Sequence, residues 1–376
     1  MEDNDIKWMR YAIDLAKKAW GDTHPNPMVG SVLVGPDQTI LTEGFHAKVG
    51  TLHAERKALT GFEWGKGLRE QSTLYVTLEP CCSHGRTPPC TDIIIEKGIK
   101  RVVVGAIDPN PAHQGKGIHV LRDAGIEVVA GVCENECEDL NIIFNYQILH
   151  STPLIAIKTA TTLDGKIATR THKSKWITSE AARKDVMNWR KYFPSIAVGA
   201  GTVLADNPSL TIRKQEQPIH CATRIVFDRS LTTFESISSF NVFNDEWKQK
   251  TWLITSDSVT DQKLEPYLSR GVQVFRLNYE NPQHSFLQFR KICAENGITG
   301  VYVEGGRSLV SELIYHHQAD YLFHYQAPKI FGSAEAPAFV EALQIDTPDE
   351  APRIDKPIRA IVGEDILTRG YLKYPR

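Results

Sequence analysis

The chain has 376 residues, of which 41% are hydrophobic and 23% are charged, and both values are ordinary for soluble globular proteins. Its length favours two or three domains over one, and its formal net charge of -2 argues against a dedicated nucleic-acid-binding or membrane-surface protein. The start lacks a signal-peptide pattern, no apolar run is long enough to cross a bilayer, and seven cysteines are too sparse for a secreted disulfide framework, so we expect a cytoplasmic protein.

The first half of the chain alternates strands with helices. The helical spacing of Trp8, Ala12, Leu15 and Ala19 predicts a helix over about residues 6–20. The elements that follow in chain order are the strands "SVLVG" and "TILTEGFH", a helix at "HAERKAL", the strand "TLYVTLEP", the helix "CTDIIIEKG", the strand "RVVVGAID", the helix "GIHVLRDAG" and the strand "IEVVAG". This alternation is typical of a sheet that is covered by helices.

The pattern begins again near "FNYQILHSTP", which indicates a domain boundary at about residues 147–153. We therefore predict one domain over residues 1–149 and a second over residues 150–376. The second series consists of the strand "LIAIKTATT", the helix "SEAARKDVMNWRKYF", the strands "SIAVGAG", "TRIVFD", "TWLITS" and "VQVFRL", the helix "FLQFRKICAENG", the strand "GVYVEGG" and the helix "SLVSELIYHHQ". Both halves are predicted to be α/β, and they share no motif.

A histidine, a glutamate and several cysteines form a pattern that is typical of a catalytic zinc site. His53 and Glu55 lie at a predicted helix start, Cys81 follows Pro80 at the end of a predicted strand, and Cys90 begins a predicted helix. Catalytic zinc is held by about three imidazole or thiolate ligands with one position open, and a carboxylate that is not a ligand then moves protons. The zinc-deaminase signature is H-x-E with P-C-x-x-C, whereas here the second cysteine comes later.

Spacing alone leaves the ligand set open. Cys81 and His84 form a C-x-x-H pair, Cys82 could replace either cysteine, and a set that includes Cys81 and Cys90 requires a longer loop. The competing interpretation is that the cysteines are buried thiols and that His53 is a core histidine. The combination of H-A-E, P-C and a further cysteine favours a metal site over that interpretation.

Two glycine-rich turns in the second half could bind phosphate. "VYVEGGRSLVSEL" places Gly305 and Gly306 before a helix, whose N-terminus attracts anions. "IAVGAGTVLADNP" supplies a second turn at Gly199, and Arg190 and Arg213 could clamp a sugar phosphate. Each feature alone is weak evidence for phosphate binding, because ordinary helix starts and solvent-exposed arginines show the same sequence patterns.

The segments "THPNPMVG", "GFHAKVGTLHAE", "YVTLEPCCSHGRTPPC" and "AIDPNPAHQGKGI" resemble the deaminase half of the bifunctional riboflavin-biosynthesis deaminase/reductase family. The resemblance implies a cytidine-deaminase-like three-layer α/β/α domain. It implies one Zn²⁺ held by His53, Cys81 and Cys90, with Glu55 as the catalytic proton shuttle and Cys82 as the spare cysteine. The residues that it implies for substrate binding are Asn26, Ser83, His84 and Arg86. Two positions depart from the residues that are common in the family, namely Met28 and Ser31.

The segments "IKTATTLDGKIAT", "SKWITSEAARKDV", "VGAGTVLADNPSLTIR" and "YVEGGRSL" resemble the reductase half of the same family, which has an α/β fold related to dihydrofolate reductase and uses NADPH. The residues that the resemblance implies for NADPH binding are Ala160, Trp176, Thr202, Asp206, Gly306, Arg307 and Ser308. Those that it implies for substrate binding are Lys158, Ser174, Arg190, Leu210, Arg213 and Glu304. Thr162 and Arg307 stand where serine and proline are common.

The resemblance implies two consecutive steps of riboflavin biosynthesis. The first is the hydrolytic deamination of 2,5-diamino-6-ribosylamino-4(3H)-pyrimidinone 5′-phosphate, and the second is the NADPH-dependent reduction of the ribosyl group to ribityl. The partner is then a small pyrimidine ribotide rather than a nucleic acid or a membrane. A homo-oligomer formed through the reductase half is compatible with this interpretation.

Three alternatives compete with this function. A paralogue acting on a related pyrimidine in secondary metabolism is suggested by the departures at Met28, Thr162 and Arg307. A nucleic-acid-editing deaminase shares the zinc chemistry, but it should show a basic stripe with aromatic residues. A scaffold with structural zinc should show a closed site with four ligands, whereas this pattern supplies three and a glutamate.

Overall fold

The computed structural model describes residues 3–65, 68–84, 88–214 and 217–375. The chain divides into two units, Met1–Ser151 and Thr152–Arg376. The division falls two residues later than residue 149, because the last helix of the first unit continues to His150 and ends at Ser151, which has a left-handed backbone conformation (φ 53°). Among the described residues, no helix is long and apolar enough to span a membrane.

The first unit is built on a five-stranded sheet. In chain order its elements are α1 (Asp3–Lys17), β1 (Gly30–Val34), β2 (Ile40–Phe45), α2 (Ala54–Leu59), a 3-10 turn (Arg69–Gln71), β3 (Thr73–Leu78), α3 (Cys90–Glu96), β4 (Arg101–Ala106), α4 (Lys116–Asp123), β5 (Glu127–Ala130), α5 (Glu134–Asp139) and α6 (Ile142–His150). The strand order is β2-β1-β3-β4-β5. β1 is antiparallel to β2 and β3, whereas β3, β4 and β5 are parallel to one another.

Helices cover both faces of this sheet, because successive side chains of a strand point to opposite faces. On one face Leu33 and Val76 belong to a core that includes residues of α2, α3 and α4. On the other face the Tyr75 hydroxyl donates a hydrogen bond to Asp5 of α1. On that face α1 packs so closely on β1 that a Cβ added at Gly30 would lie 2.0 Å from the carbonyl oxygen of Ala12. The three-layer α/β/α arrangement predicted for this half is therefore confirmed.

The second unit is built on a nine-stranded sheet. In chain order its elements are β6 (Leu154–Thr161), α7 (Glu180–Tyr192), β7 (Ser195–Gly199), α8 (Ala200–Asp206), β8 (Ile212–Lys214), β9 (Gln217–His220), β10 (Thr223–Phe227), a 3-10 turn (Phe234–Ser239), α9 (Asn241–Asn244), a 3-10 turn (Lys248–Lys250), β11 (Thr251–Ser256), α10 (Asp261–Leu268), β12 (Gln273–Leu277), α11 (Pro282–Glu295), β13 (Gly300–Val303), α12 (Arg307–Tyr315), β14 (Tyr321–Gln326), a 3-10 turn (Pro348–Glu350), β15 (Arg353–Val362) and β16 (Asp365–Lys373). β8 and β9 form a separate antiparallel pair.

The strand order of the large sheet is β12-β11-β10-β7-β13-β6-β14-β16-β15. The strands from β12 to β14 are parallel, and β16 and β15 extend the sheet in antiparallel fashion. Parallel sheets are buried on both faces: Phe289 of α11 and Leu313 of α12 pack on one face, and Leu264 and Tyr267 of α10 pack on the other. The carboxyl ends of β6, β13, β7, β10 and β11 consequently line up along one edge of the sheet.

The structure differs from the sequence-based prediction at several elements. α1 begins at Asp3 and ends at Lys17, whereas the apolar spacing suggested residues 6–20, because Lys18, Ala19 and Trp20 continue as turns that bond three residues back. The helices and strands that the sequence did not predict are α5, α6, α8, α9, α10, β8, β9, β14, β15 and β16. β15 is an edge strand with mostly exposed residues, so it lacks the apolar alternation on which a strand prediction depends.

Candidate active sites

Three elements of the first unit bring the predicted metal ligands together. His53 immediately precedes α2, Cys81 follows β3, and Cys90 is the first residue of α3. The His53 Nδ1 lies 3.5 Å from the Cys81 Sγ and 3.4 Å from the Cys90 Sγ, and all three donor atoms lie within 4.8 Å of one another. One nitrogen and two sulfurs in this arrangement suit a zinc ion.

The protonation of the two thiols also fits a cation. A hydrogen bond with Cys90, assisted by His53, lowers the pKa of Cys81 to about 4. The same contact and burial raise the pKa of Cys90 above its ordinary value. Two thiolates this close repel each other, so Cys90 keeps its proton unless a positive charge lies between them. The donor set is thus suited to a divalent cation, whose charge allows both sulfurs to ionise.

Glu55 lies in the first turn of α2, beside this cluster, and only 4% of the residue is exposed. Burial, together with the negative charge on Cys81, raises the pKa of Glu55 to about 7. A carboxyl group with a pKa near neutrality can both accept and donate a proton at physiological pH. The position and the pKa are those that a proton shuttle requires.

The loop between the two cysteines is tied to α2 by an arginine that the sequence did not single out. The Arg56 guanidinium donates hydrogen bonds to the carbonyl oxygens of Pro88 (2.8 Å) and Pro89 (2.9 Å), directly before Cys90. In the described part of the loop, Cys82 is half-buried and stands apart from the group of donor atoms. The predicted substrate residues Ser83 and His84 are exposed, and the predicted substrate residue Arg86 lies outside the described residues.

A histidine fixes the orientation of Asn26, the predicted pyrimidine contact. His46 packs edge-on against His53, with ring centroids 5.7 Å apart, and burial lowers its pKa. The Nδ1 of His46 lies 3.2 Å from the carbonyl oxygen of Leu52, which can only accept, so Nδ1 carries the proton. The Nε2 then accepts from the Asn26 amide nitrogen at 3.2 Å. The side-chain oxygen of Asn26 is consequently left to accept a hydrogen bond from another group.

Asn141 holds the backbone of the segment between α1 and β1, which carries Asn26. It precedes α6, and its side-chain oxygen accepts from the Met28 N–H at 2.7 Å while its side-chain nitrogen donates to the Met28 carbonyl at 3.0 Å. Both partners are buried. The position of Asn26, two residues away, thus depends on a contact with the C-terminal end of the unit.

In the second unit, the carboxyl ends of the central strands surround a cleft of about 740 Å³. The predicted cofactor and substrate residues that line this cleft are Lys158, Ala160, Ser174, Trp176, Arg190, Thr202, Asp206, Leu210, Glu304, Gly306, Arg307 and Ser308. Arg213 is not among the described residues that line the cleft. Its side chain is exposed, and its Nε donates to the Thr211 hydroxyl at 3.4 Å.

Three charged residues that line the cleft, Lys158, Arg190 and Glu304, interact with one another. The Arg190 guanidinium donates two hydrogen bonds to the Glu304 carboxylate, at 2.5 and 2.9 Å, and a third to the carbonyl of Thr211. Burial alone would raise the pKa of Glu304, but the charge on Arg190 outweighs it and the pKa is lowered. Burial lowers the pKa of Lys158, which the charge on Glu304 opposes. Lys158 can therefore give up a proton more readily than a solvated lysine.

Further residues at the cleft escaped the sequence-based prediction. The Arg183 guanidinium stacks over the ring of Trp176, 4.5 Å from its centroid, and Trp176 is 63% exposed. Arg229 and Tyr279 also line the cleft. Tyr279 lies between two of the segments that carry the resemblance, residues 198–213 and 302–309, and a single arginine carries no sequence signal of its own.

Comparisons with known proteins match both halves. Residues 2–106 match the family described as the cytidine and deoxycytidylate deaminase zinc-binding region. Residues 153–360 match the RibD C-terminal domain family, which covers more than half of the chain.

Several proteins are similar to this chain over nearly its full length. The riboflavin biosynthesis protein RibD of Bacillus amyloliquefaciens is 40% identical over 362 residues, with 96% of this chain and 94% of that protein covered. The protein of the same name from Aquifex aeolicus is 41% identical over 367 residues (96% and 97% covered). A solved structure of a diaminohydroxyphosphoribosylaminopyrimidine deaminase/5-amino-6-(5-phosphoribosylamino)uracil reductase from Thermotoga maritima is 35% identical, with a TM-score of 0.77 and 99% of both chains covered. Acinetobacter baumannii RibD gives a TM-score of 0.76 at 31% identity (98% and 99% covered).

Proposed function

This chain belongs to the RibD family of bifunctional riboflavin-biosynthesis deaminase/reductases, and on that premise we propose its substrate, its cofactors and the residues that act in each half. The substrate of the first half is 2,5-diamino-6-ribosylamino-4(3H)-pyrimidinone 5′-phosphate. The second half reduces the ribosyl group of the deaminated product to ribityl. The observation that carries the proposal is the convergence of the His53 nitrogen and the Cys81 and Cys90 sulfurs beside the buried carboxyl of Glu55.

In the first half, His53, Cys81 and Cys90 hold one zinc ion. When bound, zinc supplies a water molecule whose pKa is lowered to about 7, so that it is a nucleophile at neutral pH. Glu55 takes a proton from the attacking water and delivers it to the amino group that leaves as ammonia. The side-chain oxygen of Asn26, which His46 keeps directed away from itself, accepts a hydrogen bond from an N–H of the pyrimidine.

The second half binds NADPH, with the turn at Gly306 and the N-terminus of α12 holding its phosphates. The cofactor supplies a hydride to C1 of the ribosyl group. Opening of the sugar ring leaves an oxygen that must gain a proton, and Lys158, a lysine that lines the cleft and whose pKa burial lowers, donates it. Arg190 and Glu304, which are paired with each other, position the substrate, and the charge on Glu304 favours the protonated form of Lys158.

We propose a cytoplasmic location, because seven cysteines in 376 residues are too sparse for the disulfide framework of a secreted protein.

Replacing Glu55→Gln tests the deaminase proposal. The glutamine keeps the size of the side chain but cannot carry a proton, so we expect the deamination rate to fall by roughly 10²- to 10⁴-fold. Zinc content, measured by plasma mass spectrometry, should stay at one ion per chain, because Glu55 is not a ligand. The matched control is Glu96→Gln at the exposed end of α3, which should deaminate at the wild-type rate. Wild-type deamination by the Glu55→Gln variant would refute the role of Glu55.

A further inference from the structure

We propose that a basic segment, residues 170–175 between β6 and α7, attracts small phosphorylated molecules electrostatically and speeds their association with the cleft of the second unit. The inference rests on the proposed reductase function, whose two ligands, NADPH and the pyrimidine ribotide, are both anions. It adds residues that act on these ligands before they are bound, outside the set that holds them afterwards.

The basic segment carries a concentration of unneutralised positive charge. Residues 162–178 contain four lysines and arginines and one acidic residue, Asp164. Three of those four cations, Arg170, Lys173 and Lys175, lie in the basic segment, and all three are exposed. Within the part of the chain that the structure describes, none of the three is paired with a carboxylate. Their charges therefore act on the solvent in front of the segment.

The backbone of the basic segment is fixed beside the cleft. His172 and Lys175 line the cleft, whereas Arg170 and Lys173 are not among its described lining residues. The Thr169 N–H donates to the Lys173 carbonyl at 3.0 Å, and the Lys173 N–H donates to the Thr169 hydroxyl at 3.2 Å. These bonds close the turn, so the charges of Arg170 and Lys173 lie next to the wall of the cleft without forming it.

The cleft itself carries a positive charge of the same sign. Among the described residues, six lysines and arginines line it against three carboxylates, a formal excess of three positive charges. One of the six, Arg307, pairs with Glu341, which does not line the cleft, and counting that carboxylate still leaves an excess of two. The whole chain, in contrast, has a formal charge of -2. The positive charge is thus concentrated at the cleft and its neighbouring segment.

A concave surface of one charge raises the rate at which a ligand of the opposite charge associates, by about 10- to 10³-fold in strongly steered systems. The attraction reaches about one Debye length, roughly 10 Å at 0.1 M salt. Charges at the rim of a site change the association rate constant, whereas groups that touch the bound ligand change the dissociation rate constant. Because Arg170 and Lys173 are exposed and do not line the cleft, we expect them to affect association alone.

Stopped-flow fluorescence of NADPH binding to the full-length protein measures both rate constants. At about 0.01 M salt, where the Debye length is about 30 Å, the double variant Arg170→Gln/Lys173→Gln should associate roughly 3- to 10-fold more slowly than the wild type. Its dissociation rate constant should stay unchanged, which also shows that the cleft is intact. At about 1 M salt the two association rates should converge, since charges are then screened within about 3 Å.

The matched control is Lys291→Gln/Arg353→Gln, which removes two exposed cations that do not line the cleft. This control should associate with NADPH at the wild-type rate at both salt concentrations. Equal association rates of the wild type and Arg170→Gln/Lys173→Gln at low salt would overturn the proposal. A change confined to the dissociation rate would overturn it as well, because the two side chains would then contact the bound ligand.

Fluorescence quenching tests the same charge without any cofactor. Trp176 follows the basic segment directly and is 63% exposed, and its share of the fluorescence is the part lost in Trp176→Phe. We expect iodide, an anion, to quench this share more efficiently than neutral acrylamide, and Arg170→Gln/Lys173→Gln to lower the iodide-to-acrylamide ratio about two-fold at low salt. An unchanged ratio would contradict the proposal. A lowered ratio in a protein that binds no NADPH would contradict the proposed cofactor and still support the attraction of anions.

Discussion

At the scale of single residues, Cys82 is the strongest competitor for a place among the zinc ligands, because it adjoins Cys81 in the chain. The structure directs the sulfurs of Cys81 and Cys90 towards the Nδ1 of His53. We therefore predict that Cys82→Ser retains one zinc ion per chain, whereas Cys81→Ser binds zinc more weakly by over about 100-fold, since even outer partners of a ligand contribute 10- to 100-fold. Zinc content after dialysis against a chelator measures both.

The two serine variants are matched controls for each other, because they make the same change at adjacent positions. Loss of zinc from Cys82→Ser with retention in Cys81→Ser would reverse the assignment of the spare cysteine.

The sequence could predict the site residues that belong to a short motif with a characteristic chemistry. H-A-E and P-C place His53, Glu55 and Cys81 within a few positions of a helix start or a strand end. His46 and Asn141 could not be found in this way. Their roles depend on contacts with residues 20 and 113 positions away along the chain. Nothing in the sequence around them distinguishes them from any other histidine or asparagine.

At the scale of elements, the start of α6 is linked to the segment that carries Asn26, because Asn141, the residue before α6, binds the Met28 backbone. Asn141→Ala would leave the buried N–H and C=O groups of Met28 without partners, and each unmade bond costs about 1–3 kcal/mol. We predict a loss of roughly 2–4 kcal/mol in the free energy of unfolding, measured by urea denaturation, and a higher KM for deamination. Asn145→Ala, one turn further along α6, removes an exposed bond to the Glu138 carbonyl and should change both quantities little. Equal effects of the two variants would contradict this role of Asn141.

α1 is tied to the sheet by a buried carboxylate. Arg101 donates two hydrogen bonds to Asp5, at 3.0 and 2.9 Å, and Tyr75 donates a third. Burial would raise the pKa of Asp5, but these bonds outweigh it and lower the pKa below 3.8. A pKa that is depressed in the folded state stabilises the fold above the unfolded value and ceases to do so as the pH falls through the folded one.

We accordingly predict that Asp5→Asn lowers the free energy of unfolding by roughly 1–3 kcal/mol at pH 7. The difference from the wild type should shrink as the pH falls below about 3.8, when the aspartate becomes protonated. Urea denaturation at a series of pH values measures this, and a difference that stays constant down to pH 3 would exclude the ion pair as its cause.

Elements with strong local patterns were predictable, and edge or boundary elements were not. The buried strands β3, β4, β6 and β7 are nearly continuous apolar runs. β16 pairs with β14, and β15 pairs in turn with β16; β15 is mostly exposed, so its sequence gives no apolar alternation. The helices α5 and α6 are short, so neither contains enough turns to show a helical period.

At the scale of the whole molecule, each chemistry belongs to a separate unit. The proposed zinc ligands and Glu55 lie in the unit that ends at Ser151, and the residues of the large cleft lie in the unit that begins at Thr152. The sequence indicated this division through the reset of the α/β pattern near residue 147. A chain built in this way should carry out its two reactions by two independent sets of residues.

The most direct test of this account is mass spectrometry of 2,5-diamino-6-ribosylamino-4(3H)-pyrimidinone 5′-phosphate after incubation with the zinc-loaded protein, with and without NADPH. We predict that the deaminated product forms without NADPH and that the reduced ribityl product forms only when NADPH is present. An unchanged substrate in the presence of verified zinc would contradict the proposed substrate and favour a related pyrimidine instead.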